Sequence, residues 1–255
     1  MKSHIVTLAV FLNESNIGSM ATERKVAVFD VDGTIFRSSL LIQVVEAMID
    51  SGDFPHEARE EFEEEHQKWL DREGDYETYI NAVVMAFRRH LKGVPYRALE
   101  DAAHKVVDVQ WKRTYRYTRD LLKDLKDSGY FLLAVSHSPK TVLDKFCPRL
   151  GFDKTYGIFY DIGPTERFTG TVADEHLIYN KANILKRAAE KENLTLEDSV
   201  GVGDTESDIP FLEMVGKPIC FNPNQKLYRY AKLHDWEVVV ERKDVIYQLK
   251  KDHLL

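Results

Sequence analysis

Four aspartates, a serine and a lysine stand where they could handle a phosphoryl group. Asp30 and Asp32 lie in Asp30-Val31-Asp32-Gly33-Thr34, directly after the apolar run 25–29. Asp204 and Asp208 lie in Gly203-Asp204-Thr205-Glu206-Ser207-Asp208, directly after the apolar run 199–202. Ser136 follows the run 130–135, and Lys181 opens a helical pattern ahead of Asp204. Short apolar runs ending in polar residues read as buried strands that feed loops. In open parallel sheets, ligands bind beyond the carboxyl ends of the strands. All six side chains are therefore expected at one sheet edge. Acids gathered that closely repel one another. A hard divalent cation resolves the repulsion, since Mg2+ takes one or two carboxylates, carbonyls and water and leaves room for a substrate phosphate. A lysine and a hydroxyl beside it suit the remaining phosphate oxygens.

The elements that would position these residues follow from periodicity. Leu40, Leu41, Val44, Val45 and Met48 recur at helical spacing, with Gly52 as a stop. Pro55 opens an acidic helix that runs to about Arg72. Tyr76, Ile80, Val83, Val84 and Phe87 mark a third helix, and Leu99, Ala102, Val106 and Val109 a fourth behind Pro95. Residues 38–112 thus form a block of four helices without a strand. From residue 114 onward strands and helices alternate: helix 118–126, strand 130–135, helix 139–150, a weaker strand near 155–160 and a hairpin in 161–176. Helix 181–193, strand 199–202, helix 209–215, strand 218–221, a helix to 233, strand 237–240 and a polar C-terminal helix complete the pattern. With the strand at 25–29, this alternation predicts an α/β fold, a doubly wound parallel sheet with an inserted all-helical block.

Each signal alone has a plainer reading. Asp30–Thr34 could be an ordinary turn. A calcium loop fails, because its glycine position holds Ile35 and its glutamate position Leu41. A serine after a strand is commonly a helix cap, but Ser138 before Pro139 is the better cap here, which leaves Ser136 free. A lone lysine near a helix start is usually solvated. Taken together and in order, Asp30-Val31-Asp32-Gly33-Thr34, Ser136, Lys181 and Gly203–Asp208 resemble the four motifs of the haloacid dehalogenase superfamily of phosphohydrolases. The resemblance covers nearly the whole chain from about residue 25. Lys181-Ala182-Asn183-Ile184-Leu185 and the Asp204 segment are similar to the phosphoserine-phosphatase-like branch. The helical block resembles that superfamily's type-1 cap, and the sheet elements between Ser136 and Lys181 leave no room for a second one. The implied organisation is an N-terminal extension over 1–24, a catalytic core over 25–37 and 113–255, and a cap over 38–112.

The resemblance implies roles. Asp30 is the nucleophile and a metal ligand, and would form an aspartyl-phosphate. Asp32 is general acid for the leaving alcohol and then general base for water, with its backbone carbonyl on the metal. That role asks for a raised pKa. Ser136 and Lys181 hold phosphate oxygens, with Gly33 and His137 beside them, although His137 reads equally well as an exposed loop histidine. Asp204 ligates Mg2+, and Asp208 stands behind it, orienting metal-bound water or Lys181. The implied activity is that of a Mg2+-dependent phosphomonoesterase acting on a small phosphorylated metabolite. Phosphoserine phosphatase and a non-catalytic binding protein on a retained fold are the alternatives.

The insert departs from the phosphoserine-specific pattern. Those relatives use a glutamate shortly after the first motif for the substrate ammonium and an arginine for its carboxylate. Here the first position falls on Ser39, beside Arg37, with no acid before Glu46, and no arginine follows in the insert's third helix until Arg88. Arg37, Ser39 and Arg88 remain candidate substrate residues, with Arg88 and Arg89 read first as a solvated helix end. Tyr76, Tyr79 and Phe87 read as core of the insert.

Composition bounds the rest. The chain has 255 residues, 44% hydrophobic and 30% charged, with 13 Gly and 8 Pro, which rules out collagen, low-complexity disorder and a coiled-coil rod. A net charge of −7 argues against a nucleic-acid partner. Residues 50–75 hold eleven acids and three bases, expected as a solvated outer face. Cys147 and Cys220 stand in no disulfide or zinc spacing and fit a reducing, cytoplasmic setting. No stretch is long and apolar enough to span a membrane. The apolar run 5–12 is followed by Glu14 and lacks a small-residue cleavage site. It reads as a short extension, or as sequence upstream of a start at Met20.

Overall fold

The structure of the protein is a computed structural model in which residues 23–173 and 180–249 are described. All but the last two residues of the expected extension lie outside them, as does the end of the expected hairpin. Strand β1 (Arg24–Phe29) shows why a central strand needs no alternation: its last four residues are all buried. Ala27 and Phe29 enter one apolar cluster, and Val26 and Val28 enter a second on the opposite face. A strand covered on both faces belongs inside a parallel sheet.

Helices α1 (Leu40–Ser51), α2 (Glu60–Leu70), α3 (Tyr76–Leu91) and α4 (Tyr96–Gln110) follow β1. After α5 (Arg116–Asp127) come β2 (Phe131–Pro139), α6 (Lys140–Leu150) and β3 (Lys154–Ile158). Strands β4 (Tyr160–Ile162) and β5 (Phe168–Val172) pair antiparallel as the expected hairpin. The chain continues through α7 (Lys181–Glu192), β6 (Leu194–Gly203), the short α8 (Ile209–Leu212), β7 (Lys217–Phe221), α9 (Gln225–Leu233), β8 (Glu237–Arg242) and β9 (Val245–Leu249). The main sheet runs β3-β2-β1-β6-β7-β8-β9. Pairings from β3 to β8 are parallel. The order reverses beside β1, so the loops after β1, β2 and β6 share one crevice.

The acidic segment lies as expected. Phe62 is the one buried residue of α2. Lys68 pairs with Glu64 and Glu65, and Glu61 takes Arg89 and His90 of α3. The expected C-terminal helix does not form over the described residues: 245–249 is strand β9, antiparallel to β8. Val245, Ile246, Tyr247 and Leu249 favour a strand, and the edge of β8 offers the missing ladder. Helix α8 is also shorter than expected, ending at Leu212. No helix among the described residues is long and apolar enough to cross a membrane.

Candidate active site

The turn after β1 is set by backbone geometry. Asp30 N donates to Val202 O at 2.9 Å, which continues the β1–β6 ladder into the site. The chain then folds back at Gly33, whose φ of 82° suits glycine. Its amide donates to Phe36 O at 3.0 Å and Ser38 O at 3.1 Å.

Helix α1 starts directly above this turn, and three side chains satisfy its first amides. Leu40 N donates to Asp32 Oδ1 at 2.5 Å, Leu41 N to Ser138 Oγ at 3.2 Å and Ile42 N to Ser39 Oγ at 3.5 Å. Free amides at a helix start favour an anion. Two expectations change here. Ser138 caps α1, not the helix that follows it. Ser39, a candidate substrate residue, is 3% exposed and is the N-cap of α1. A two-residue serine spacing cannot by itself reveal which helix end a hydroxyl will meet.

Ser136 Oγ donates to Asp32 Oδ2 at 2.6 Å and accepts from Ser138 N at 2.8 Å. Asp32 thereby collects two donors. Burial nevertheless raises its pKa above the ordinary carboxylate value, against the lowering by Ser136 and Leu40.

Lys181 is the first residue of α7, behind its N-cap Asn180, and is 2% exposed. Its Nζ donates to Asp30 Oδ1 at 2.6 Å and to Asp208 Oδ1. Burial works against the ammonium, but Asp208 and Asp30 more than offset it and raise its pKa. The other oxygen of Asp208 accepts from Asp204 N at 2.9 Å and Thr205 N at 3.1 Å. Asp208 therefore holds both Lys181 and the loop that carries Asp204. Gly203 permits this, since a Cβ there would lie 2.6 Å from Asp208.

Asp30 is 4% exposed. While Oδ1 is held by Lys181, Oδ2 is buried without a hydrogen-bond partner among the described residues. Burial pushes the Asp30 carboxyl up to about 7, with Lys181 opposing and the Asp208 and Asp32 charges adding to the rise. Burial and the charges of Asp30 and Asp208 likewise raise Asp204. Oxygens of Asp30, Asp204 and Asp208 lie within 4.8 Å of one another. One buried lysine faces four acids. An all-oxygen donor set with excess negative charge fits a hard divalent cation.

All six motif residues are thus brought together. Of the others, Gly33 lies against Asp204, and His137 is half-buried near the end of β2. Arg37 is exposed, with its guanidinium 5.7 Å from the Tyr115 ring. Arg88 is half-buried on α3. Tyr79 and Phe87 are buried as expected. Tyr76 is only partly buried, and the charges of Asp32, Asp204 and Asp30 add to its raised pKa behind burial. Lys226, which no motif or spacing marks, also reaches the site's acid loop. Its Nζ bridges Glu77 of α3 at 2.8 Å and Glu206 of the Asp204–Asp208 loop at 2.5 Å.

A family model described as haloacid dehalogenase-like hydrolase matches residues 27–213. A phosphoserine phosphatase of Methanocaldococcus jannaschii is 26% identical over 229 residues, covering 89% of this chain and 96% of that protein. A phosphoserine phosphatase of Archaeoglobus fulgidus is 27% identical over 209 residues, covering 80% of this chain and 54% of that one. Two solved structures share the fold. A Bordetella pertussis protein of unknown function has a TM-score of 0.64 at 20% identity, covering 85% of this chain and 98% of that one. A phospho-aspartyl intermediate analogue of phosphoserine phosphatase has a TM-score of 0.58 at 23% identity, covering 87% and 95%.

Proposed function

Since the chain belongs to the haloacid dehalogenase-like hydrolases, we propose that it is a Mg2+-dependent phosphomonoesterase that hydrolyses a small phosphorylated metabolite through an aspartyl-phosphate. The carrying observation is the asymmetry of Asp30, with Oδ1 fixed by Lys181 and Oδ2 without a hydrogen-bond partner among the described residues. We read residues 38–112 as the cap and the strands with their flanking helices as the core.

Asp30 Oδ2 attacks phosphorus, and the bond from phosphorus to the alcohol oxygen breaks. Asp32, whose pKa burial raises, acts as the general acid and delivers a proton to that oxygen. A hydroxyl can reverse its hydrogen bond. When Asp32 carries the proton that it gives to the leaving oxygen, the Ser136 hydrogen is free to turn from Oδ2 to a phosphoryl oxygen. Lys181 holds a second phosphoryl oxygen while neutralising Asp30. In the second half Asp32 takes a proton from water as it attacks phosphorus, the acyl-phosphate bond breaks, and orthophosphate leaves. The side chains of Asp30 and Asp204 and the carbonyl of Asp32 would hold the cation, with Asp208 fixed behind them. Bound Mg2+ would offset the clustered carboxylates and draw charge from the phosphoryl oxygens.

The Methanocaldococcus relative, named a phosphoserine phosphatase, supports phosphoserine as a second reading. Ser39 opposes it, since a buried capping serine offers an ammonium no carboxylate. Asp30→Asn tests the reaction. Turnover of 4-nitrophenyl phosphate is expected to fall at least a thousandfold, and wild-type turnover by that variant would refute the mechanism. A panel of phosphorylated metabolites, ranked by kcat/KM with and without EDTA, decides the substrate.

A further inference from the structure

Resting on the reading of Asp204 as a cation ligand, we propose that Asn224 is a positioning residue for Asp204. It grips the acid loop of residues 204–208 from α9, so that the Asp204 carboxylate faces the Mg2+ site before the cation arrives.

The need for such a grip comes from charge. Oxygens of Asp30, Asp204 and Asp208 lie within 4.8 Å of one another, and without a cation these carboxylates repel. The sheet does not restrain Asp204, because β6 ends at Gly203.

Both polar backbone groups of Asp204 are held instead. Its amide donates to Asp208 Oδ2 at 2.9 Å, and its carbonyl accepts from Asn224 N at 2.8 Å. The Asn224 side chain adds a hold at Glu206, to which its Nδ2 donates. Its Oδ1 accepts from Leu227 N at 2.9 Å and caps α9. A backbone amide on one side and a carboxylate on the other leave this side-chain amide one orientation, oxygen to Leu227 and nitrogen to Glu206.

The footing of Asn224 is rigid. Leu227 and Ala231 of α9 are fully buried in the apolar cluster on their face of the sheet. Asn222 ties the turn before α9 to β8, with its backbone amide donating to Val239 O at 2.8 Å and its Oδ1 accepting from Glu241 N at 2.8 Å. Asn224 thus passes the position of a packed helix to the acid loop. Lys226 also reaches Glu206, but its side chain is 63% exposed, and exposed ion pairs fix position weakly. A ligand already set in its bound position costs less ordering when the cation binds.

The test reads Mg2+ binding directly, by calorimetry on EDTA-stripped protein, beside the melting temperature in EDTA. Asn224→Ser keeps a hydroxyl to cap α9 but is too short to reach Glu206. Its dissociation constant for Mg2+ should rise fivefold or more, about 1 kcal/mol, while its melting temperature stays within about 3 °C of wild type. Asn224→Asp also keeps the cap, but sets a carboxylate against Glu206, and should weaken Mg2+ as well. Adding Glu206→Gln to Asn224→Asp pairs donor and acceptor again in exchanged roles, and should bring the constant back to within about twofold of wild type. Both of these shifts run against the change in net charge, since added negative charge alone would tighten a cation. If Asn224→Ser also melts lower, the double variant still decides. Unchanged Mg2+ binding in Asn224→Ser, tighter binding in Asn224→Asp, or no recovery in the double variant would each overturn the proposal. Wild-type protein that binds no Mg2+ would overturn the reading of the site itself, and this assignment with it.

Discussion

The carboxylate of Asp204 occupies the space that a side chain at residue 33 would need. A Cβ on Gly33 would lie 2.1 Å from Asp204 Oδ2, and the backbone there has a φ of 82°. The turn of the first motif and the acid of the last are thus fitted to each other. Gly33→Ala should displace Asp204 and strain the turn. Mg2+ affinity, read by titrating activity in EDTA-stripped protein, is expected to fall at least tenfold. Unchanged Mg2+ dependence would show that Asp204 does not hold the cation.

Lys181 is a single buried ammonium between two buried carboxylates. Removing one partner of such a cluster leaves uncompensated charge and typically costs about 3–5 kcal/mol. Lys181→Met should abolish turnover and lower the melting temperature of the metal-free protein. Mg2+ should recover part of the stability but none of the activity. A variant as stable as wild type in EDTA would contradict the ion-pair geometry.

Ser138 ties the start of α1 to the end of β2 through Leu41 N. Ser138→Ala leaves that buried amide without its acceptor, at a cost of about 1–3 kcal/mol. Urea unfolding should show this loss, and Ser138→Thr should restore much of it. No change in the midpoint would mean that the amide finds another acceptor.

Burial raises the carboxyls of Asp30, to about 7, and of Asp32 and Asp204. Unfolded aspartates titrate near 3.9. Between those limits the folded metal-free chain keeps protons that the unfolded chain releases, so its stability falls as pH rises. Lys181 is raised and keeps its contribution throughout this window. The lowered surface acids, such as Glu206 at about 2, titrate below it. In EDTA the melting temperature should therefore drop between pH 5 and pH 8, by a few degrees, and Mg2+ should stabilise more at pH 8 than at pH 5. Asp30→Asn should flatten the slope. A melting temperature in EDTA that climbs from pH 5 to pH 8 would refute this account.

The motif acids were legible because each follows a short apolar run. A buried strand must end in polar chain, and a parallel sheet must bring such ends to one edge. The helical insert was legible from its spacing and its Gly and Pro stops. Strand β9 was not, because an edge strand of polar and apolar residues depends on a neighbour's ladder that local pattern does not contain. The helix that Ser138 caps was not legible for a related reason: a serine marks a helix start, and which start it serves depends on what packs beside it.

The sequence by itself determined the chemistry available, namely which acids, hydroxyl and ammonium would meet at the sheet edge. Tertiary structure alone decided how each carboxylate is spent. Lys181 takes one oxygen of Asp30 and leaves the other without a partner among the described residues, and Asp208 is consumed in holding Lys181 and the Asp204 loop. It also joined Lys226 to Glu77 of α3 and to Glu206 of the acid loop, and charge pairing over such separations exists only in the folded chain.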